Sequence, residues 1–119
     1  AVPWIAKENE RHVARFGMPM TEDSAGYYQL FQILVDSLER AKTTSSEKLR
    51  DAIAATNISD INHKAMLLPY KQLKFDETGQ NPYATAMLVQ IQDGKFRLMY
   101  PEHVAEPEVK LVWPYPQSK

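Results

Sequence analysis

Three histidines, His12, His63 and His103, are the side chains best suited to metal ligation or to proton transfer near neutral pH. A helical zinc site is read from ligands three or four residues apart, because that spacing puts them on one face. None of the three lies in a His-x-x-x-His or Glu-x-x-His arrangement. They read as surface or internally satisfied polar residues, and no metal ligand is assigned. Glu102, Glu106 and Glu108 crowd a proline-rich tail. A carboxylate pair does acid and base work only where its surroundings separate the two pKa values, so here the cluster reads as solvated charge. Asp76-Glu77-Thr78-Gly79 has the outline of a calcium loop but lacks the alternating oxygen ligands and the distal glutamate. It reads as a turn, with Gly79 in a backbone conformation that other residues resist. There is no Gly-x-Gly-x-x-Gly, Gly-x-Ser-x-Gly or phosphate loop, and only four glycines to build one. No catalytic residue and no cofactor is assigned, and the chain is read as a non-enzyme.

The elements that would position such groups follow from periodicity. Ile5 to Phe16 puts Ile5, Asn9, His12, Val13 and Phe16 on one helical stripe, and Gly17 supplies a stop. After the loop Met18 to Asp23, a second helix is predicted to begin near Asp23 or Ser24. Its apolar face is predicted at Tyr27, Leu30, Phe31, Leu34, Leu38 and Ala41, with Gln29, Gln32, Asp36, Glu39 and Arg40 on the wetter sides. Tyr27 and Tyr28 then read most simply as core aromatics whose hydroxyls reach a polar partner. Thr44-Ser45-Ser46-Glu47 has the form of a capping box, predicting a third helix from Ser45 to Ala55 with Leu49, Ala52 and Ile53 inward.

Thr56 to Lys64 has no sustained period and reads as a loop. Strand character is expected at Met66-Leu67-Leu68, is broken by Pro69, and resumes over Gln72 to Phe75. Asp93-Gly94 between alternating residues predicts a hairpin with a two-residue turn of the primed type. That register pairs Ile91 with Phe96, Val89 with Leu98 and Met87 with Tyr100 on an apolar face. Gln92 with Lys95 and Gln90 with Arg97 take the solvated face. The tail, with Pro101, Pro107, Pro114 and Pro116, is expected to run extended along a surface, pinned by Trp113.

Composition bounds the partners. With 44% hydrophobic and 24% charged residues in 119, the chain reads as soluble and globular, and no apolar run approaches the roughly 20 residues of a membrane span. A net charge of −1 offers no field for capturing phosphates, so nucleic acid is excluded as a partner. With zero cysteines, disulfides, thiol nucleophiles and thiolate metal sites are excluded together.

Two motifs in order carry a family resemblance. Leu73-Lys74-Phe75-Asp76-Glu77-Thr78-Gly79-Gln80-Asn81 is followed by Val89-Gln90-Ile91-Gln92-Asp93-Gly94-Lys95 and closed by Tyr100-Pro101. The pair resembles the C-terminal signature of the type I periplasmic binding proteins, the branched-chain amino-acid receptor family of ABC importers. The likeness spans about Trp4 to Pro116. It implies an α/β fold, the chain being the C-terminal fragment of a two-lobed receptor, although the piece by itself has an α+β pattern of three helices and a hairpin. Residues 1–81 would be the helical part of one lobe ending in the hinge strand, and residues 82–119 the hairpin and tail of the other. A two-lobed receptor needs domains of about 100–150 residues each, so a truncated or proteolysed piece is expected, in keeping with the opening Ala1-Val2-Pro3-Trp4.

The resemblance further implies a hinge at Phe75, Asp76, Gly79 and Asn81. It implies ligand contacts from Ser24, Ala25 and Tyr27, at the start of the helix that ends Leu38-Glu39-Arg40-Ala41. The implied function is capture of a small solute between two lobes and its delivery to a membrane permease. That solute would be a branched-chain or other amino acid, an amide, or a small aromatic or organic acid. The location would be the periplasm. A ligand-sensing regulatory domain of the same fold and an independent small α+β interaction domain are the alternatives. A fragment drawn from two lobes leaves apolar faces unpartnered, so self-association, or attachment to the rest of its receptor, is expected.

Overall fold

The computed structural model describes residues 3–68 and 70–114. The chain is of mixed α and β structure. Its order is α1 (Pro3–Phe16), α2 (Glu22–Ala41), α3 (Ser46–Ala54), β1 (Asn57–Ile58), β2 (Leu73–Lys74), β3 (Leu88–Gln92) and β4 (Lys95–Tyr100). Three helices ahead of a hairpin is the pattern expected of the C-terminal piece that the resemblance implies. The chain divides into two compact units between Ala84 and Thr85. No helix among the described residues is long and apolar enough to cross a membrane.

In the first unit, α1 closes where the Gly17 N–H reaches the Val13 carbonyl at 2.8 Å. Its expected stripe is tied down by hydrogen bonding, while Val13 and Phe16 are exposed. Asn9 accepts from the Met20 N–H at 2.9 Å, and the His12 Nδ1 lies 2.9 Å from the Met18 carbonyl, so both tie the helix to the loop that follows it. Phe16 stays exposed, its ring tilted at 47° to that of His12 with centroids 4.6 Å apart, and Arg15 lies over its ring.

Helix α2 starts one residue ahead of the predicted range. Thr21 is the N-cap, its hydroxyl accepting from the Ser24 N–H at 3.2 Å. The inward face is also not the predicted one. Gln29, Ile33 and Ser37 are buried, at i, i+4 and i+8, whereas Tyr27, Leu30, Phe31 and Leu34 are exposed. Tyr27, at 74% exposure, is therefore not a core aromatic. The reason lies in what α2 packs against. Residues 65–68 are irregular, the first three buried and Leu68 half-buried, and a backbone N–H taken from water without a ladder needs a side-chain acceptor. The Gln29 amide oxygen supplies one to the Leu68 N–H at 3.0 Å.

The core beneath that face is Ile33, Ala65, Met66 and Leu73, with Ile58 and Phe75 packed against it. At its edge Arg40 pairs with Asp36 at 2.8 Å. It also donates to the hydroxyls of Ser37 and Thr56, both essentially fully buried, and to the Ala52 carbonyl at 2.7 Å. A cation at the last carbonyls of α3 is favoured by the helix dipole.

Helix α3 begins as predicted to within a residue, and Leu49, Ala52 and Ile53 are half-buried. The capping box is not made: Ser45 is the N-cap and makes no side-chain cap bond, while the Thr43 hydroxyl accepts from the Ser45 N–H. The segment read as a loop holds β1, which pairs antiparallel with β2 through Asn57 with Lys74 and Ile58 with Leu73. Two residues show no period, so this strand had no pattern to betray it. In Met66-Leu67-Leu68 the first two residues are buried and the third half-buried, but the segment is not a strand; Pro69, expected to interrupt it, lies outside the described residues.

The second unit is built on the predicted hairpin. Asp93 and Gly94 both take positive φ, 52° and 72°, as the primed turn demands. Ile91 pairs with Phe96, Val89 with Leu98, Gln90 with Arg97 and Gln92 with Lys95. The last pair differs. A bulge between Leu88 and Val89 sets Leu88, not Met87, opposite Tyr100.

The tail lies on the polar face of this hairpin. Gln90 exchanges hydrogen bonds with the Val112 backbone, accepting from its N–H and donating to its carbonyl, both at 2.9 Å. Gln92 donates to the Lys110 carbonyl, and Arg97 pairs with Glu106 at 2.7 Å. The face expected to be solvated is thus covered, and Val89, Phe96 and Tyr100 on the apolar side are exposed. Trp113 does not pin the tail, being 83% exposed; the two glutamines do. Pro116 lies outside the described residues.

Candidate functional site

Within the first unit, a groove of about 590 Å³ opens between the N-terminal half of α2 and residues 68–84. Its geometry follows from three local decisions of the chain. The Thr21 cap fixes where α2 begins, which sets Glu22, Asp23 and Tyr27 along one wall. The Gln29 bond to Leu68 turns α2 so that Leu30 and Tyr27 face out rather than into the core. The turn after β2 then brings up the opposite wall, Phe75, Gln80 and Asn81, with Tyr70 ahead of it.

That turn is organised by Asp76. One carboxylate oxygen accepts from the Thr78 hydroxyl at 2.7 Å, the Thr78 N–H at 2.9 Å and the Gln80 N–H at 3.1 Å. The Asp76 N–H donates back to the Gln80 carbonyl, and Gly79, at φ +80°, donates to the Asp76 carbonyl. The Thr78 hydroxyl first, then the Gln80 and Thr78 backbone, hold the Asp76 carboxyl below its ordinary pKa. Asn81 continues the lock, donating to the Gln72 carbonyl and accepting from the Tyr83 N–H. Asp76-Glu77-Thr78-Gly79 is a turn, as the sequence indicates, and every bond of its Asp76 side chain is internal.

The structure gathers some of the expected site residues and not others. Tyr27, expected at a ligand, shares the groove with Phe75, Gly79 and Asn81, expected at a hinge. Asp76 builds the turn behind that wall. Ser24 and Ala25 lie on the same turn of α2 but spend their polar groups on the helix start. The Ser24 hydroxyl donates to the Thr21 carbonyl at 2.9 Å, and the Ala25 N–H does so at 3.0 Å.

Sequence reasoning missed Glu22, Asp23 and Tyr70. The two acids were legible as first-turn residues but not as groove residues. Tyr70 sits in an irregular stretch with no period to assign it a face. Burial, and then the charge of Glu22, push the Tyr70 hydroxyl pKa up, so it stays a neutral donor. No group of three or more histidine, aspartate or glutamate side chains that could hold a metal occurs among the described residues. The side chains in the groove are suited to holding a molecule by ring contact, amide hydrogen bonds and negative charge. No nucleophile and base stand together among them.

No family model matches the chain. Curated relatives do. Proteins called Leu/Ile/Val-binding protein homolog 7 from Brucella melitensis biotype 1, Brucella suis biovar 1 and Brucella abortus are each 27% identical to it over 110 residues. The matched stretch is 92% of this chain and 27% of each relative, so the chain spans about a quarter of the length of the relatives it matches. Those relatives are named as binding proteins, not as enzymes.

Proposed function

We propose that the chain is the C-terminal part of an extracytoplasmic solute-binding receptor of the ABC-importer type, taking an amino acid or a related small molecule. The observation that carries this reading is the likeness to proteins named as Leu/Ile/Val-binding along 92% of the chain. The two motifs support it, because each folds into a defined unit: an Asp76-centred turn and an Asp93-Gly94 hairpin.

In this reading, solute bridges two lobes, the closed form gains population in proportion to its tighter binding, and a membrane permease recognises that form. Phe75 to Asn81 serve as part of the hinge and Tyr27 as part of the cleft wall. The rigid Asp76 turn then confines the φ and ψ change to the residues flanking it. Ser24 and Ala25 contribute by placing Tyr27 rather than by donating polar atoms. Residues up to the hinge belong to one lobe and the hairpin and tail to the other, in the periplasm.

The test is thermal unfolding of the full receptor carrying this chain, against branched-chain, polar and aromatic amino acids, amides and aromatic acids. A ligand at 100 times its Kd should add about 2.7 kcal/mol to the stability of the folded state. A flat response across the whole panel would sink the amino-acid reading.

A further inference from the structure

We propose that His63 is an acid-released latch: as a neutral ring it ties the turn at residues 60–66 to α2 and to the core, and on taking up a proton it lets that turn go. The ring is a bridge with one nitrogen committed on each side. Its Nδ1 accepts the Ala65 N–H at 3.2 Å, and its Nε2 lies 3.8 Å from an Asp36 carboxylate oxygen on α2. A ring nitrogen that accepts carries no proton, so the arrangement requires the neutral tautomer protonated at Nε2. Ala65 is fully buried and packs in the core with Met66, so water cannot replace the ring as acceptor. The same turn closes on the His63 backbone, whose N–H donates to the Asp60 carbonyl at 3.0 Å and whose carbonyl accepts from the Met66 N–H at 2.8 Å. Two residues beyond Met66, Leu68 lines the groove, so the latch sits at the root of one groove wall. It does not depend on the solute-binding reading.

An imidazolium has two donors and no acceptor, so a second proton would set Nδ1–H against the Ala65 N–H and strip that buried donor of its partner. The opposing effect is Asp36, whose charge favours the imidazolium. That carboxylate is already engaged, because its other oxygen takes the Arg40 Nε–H at 2.8 Å. At 3.8 Å the Asp36 contact is too long for a hydrogen bond, and the two side chains are 36% and 22% exposed, which screens it. The remaining charges nearby are Asp60 and Lys64. The Asp60 carboxylate accepts from the Asn62 N–H, and Lys64 is exposed. Helix α1 reaches the turn through the uncharged Trp4, whose indole donates to the Ile61 carbonyl. Loss of the Ala65 acceptor therefore decides the sign. The bond exists only with the neutral ring, so the stability it adds is present above the ordinary imidazole range, near about pH 6.5, and is lost below it.

The test begins with the ring 15N shifts of His63 in the labelled 119-residue chain at about pH 7.5, where the neutral form is in place. Nε2 should be protonated and Nδ1 bare. Native-state amide exchange, corrected for the intrinsic pH dependence, should then show Ala65 and Met66 losing at least about tenfold in protection between about pH 7.5 and about pH 5.5. The Gln90 and Arg97 amides of the hairpin should keep theirs. His63→Gln supplies an acceptor that does not titrate, and it should abolish the acid loss at Ala65.

A ring protonated at Nδ1, an acid loss that persists in His63→Gln, or a gain of protection on acidification, in which Asp36 wins, each overturns the latch. If His63→Gln does not fold, the wild-type chain decides. The Ala65 amide shift and the His63 Hε1 shift should then titrate with one midpoint, and an Ala65 amide that ignores the His63 titration overturns the assignment.

Discussion

Gln29 is 6% exposed and its amide oxygen is the acceptor for the Leu68 N–H. Gln29→Leu keeps the bulk and removes the acceptor, leaving the half-buried Leu68 N–H unpaired at a cost of about 1 kcal/mol. Urea unfolding should show that loss with an unchanged m-value. Arg40 has a similar weight for a different reason. Two buried hydroxyls and a helix-end carbonyl depend on one guanidinium fork, which an ammonium does not reproduce. Asp76 contributes through charge. Its folded pKa lies below the ordinary value, so the stability it adds is complete above about pH 4 and is lost as pH falls through the depressed folded pKa. Asp76→Asn should therefore lower Tm at neutral pH and flatten its decline on acidification. An unchanged slope of Tm against pH below about pH 4 would contradict the carboxylate's role.

At the scale of elements, the two helix starts make opposite predictions from similar sequences. Thr21 caps α2 with its side chain, so Thr21→Ala should cost about 1 kcal/mol. The Thr44 of the apparent capping box is not the N-cap of α3, and Thr44→Ala should stay within about 0.5 kcal/mol. Chemical denaturation of the two variants side by side separates them, and equal losses would mean the α3 start is misplaced. The hairpin turns on Gly94, where an added Cβ meets no neighbour but the φ of +72° penalises any L side chain. Gly94→Ala should cost about 1 kcal/mol through the backbone alone, visible as loss of cross-strand amide protection. The hairpin was legible because period 2 and an Asp-Gly turn are local signals. The bulge at Leu88 and the short β1 strand were not, since neither changes the alternation of a readable run.

At the scale of the whole molecule, each unit leaves an apolar face open. In the first it is Leu30, Phe31 and Leu34 of α2; in the second it is Val89, Phe96 and Tyr100. Exposed apolar surface of this kind marks a place of association. Sedimentation velocity of the 119-residue chain should show weight rising with concentration, and Phe31→Lys with Phe96→Lys should suppress it. A strictly monomeric wild-type chain would instead favour an independent small domain.

The sequence by itself determined the helix and hairpin inventory and the Asp76 turn, because these depend on local periodicity and turn chemistry. Tertiary structure decided which side of α2 is inside and which face of the hairpin is covered. Both choices were made by long-range hydrogen bonds, Gln29 to Leu68 and Gln90 to Val112, across 39 and 22 residues. In each case an amide side chain satisfies an irregular backbone segment far away in the chain, a pairing that no window of local sequence contains.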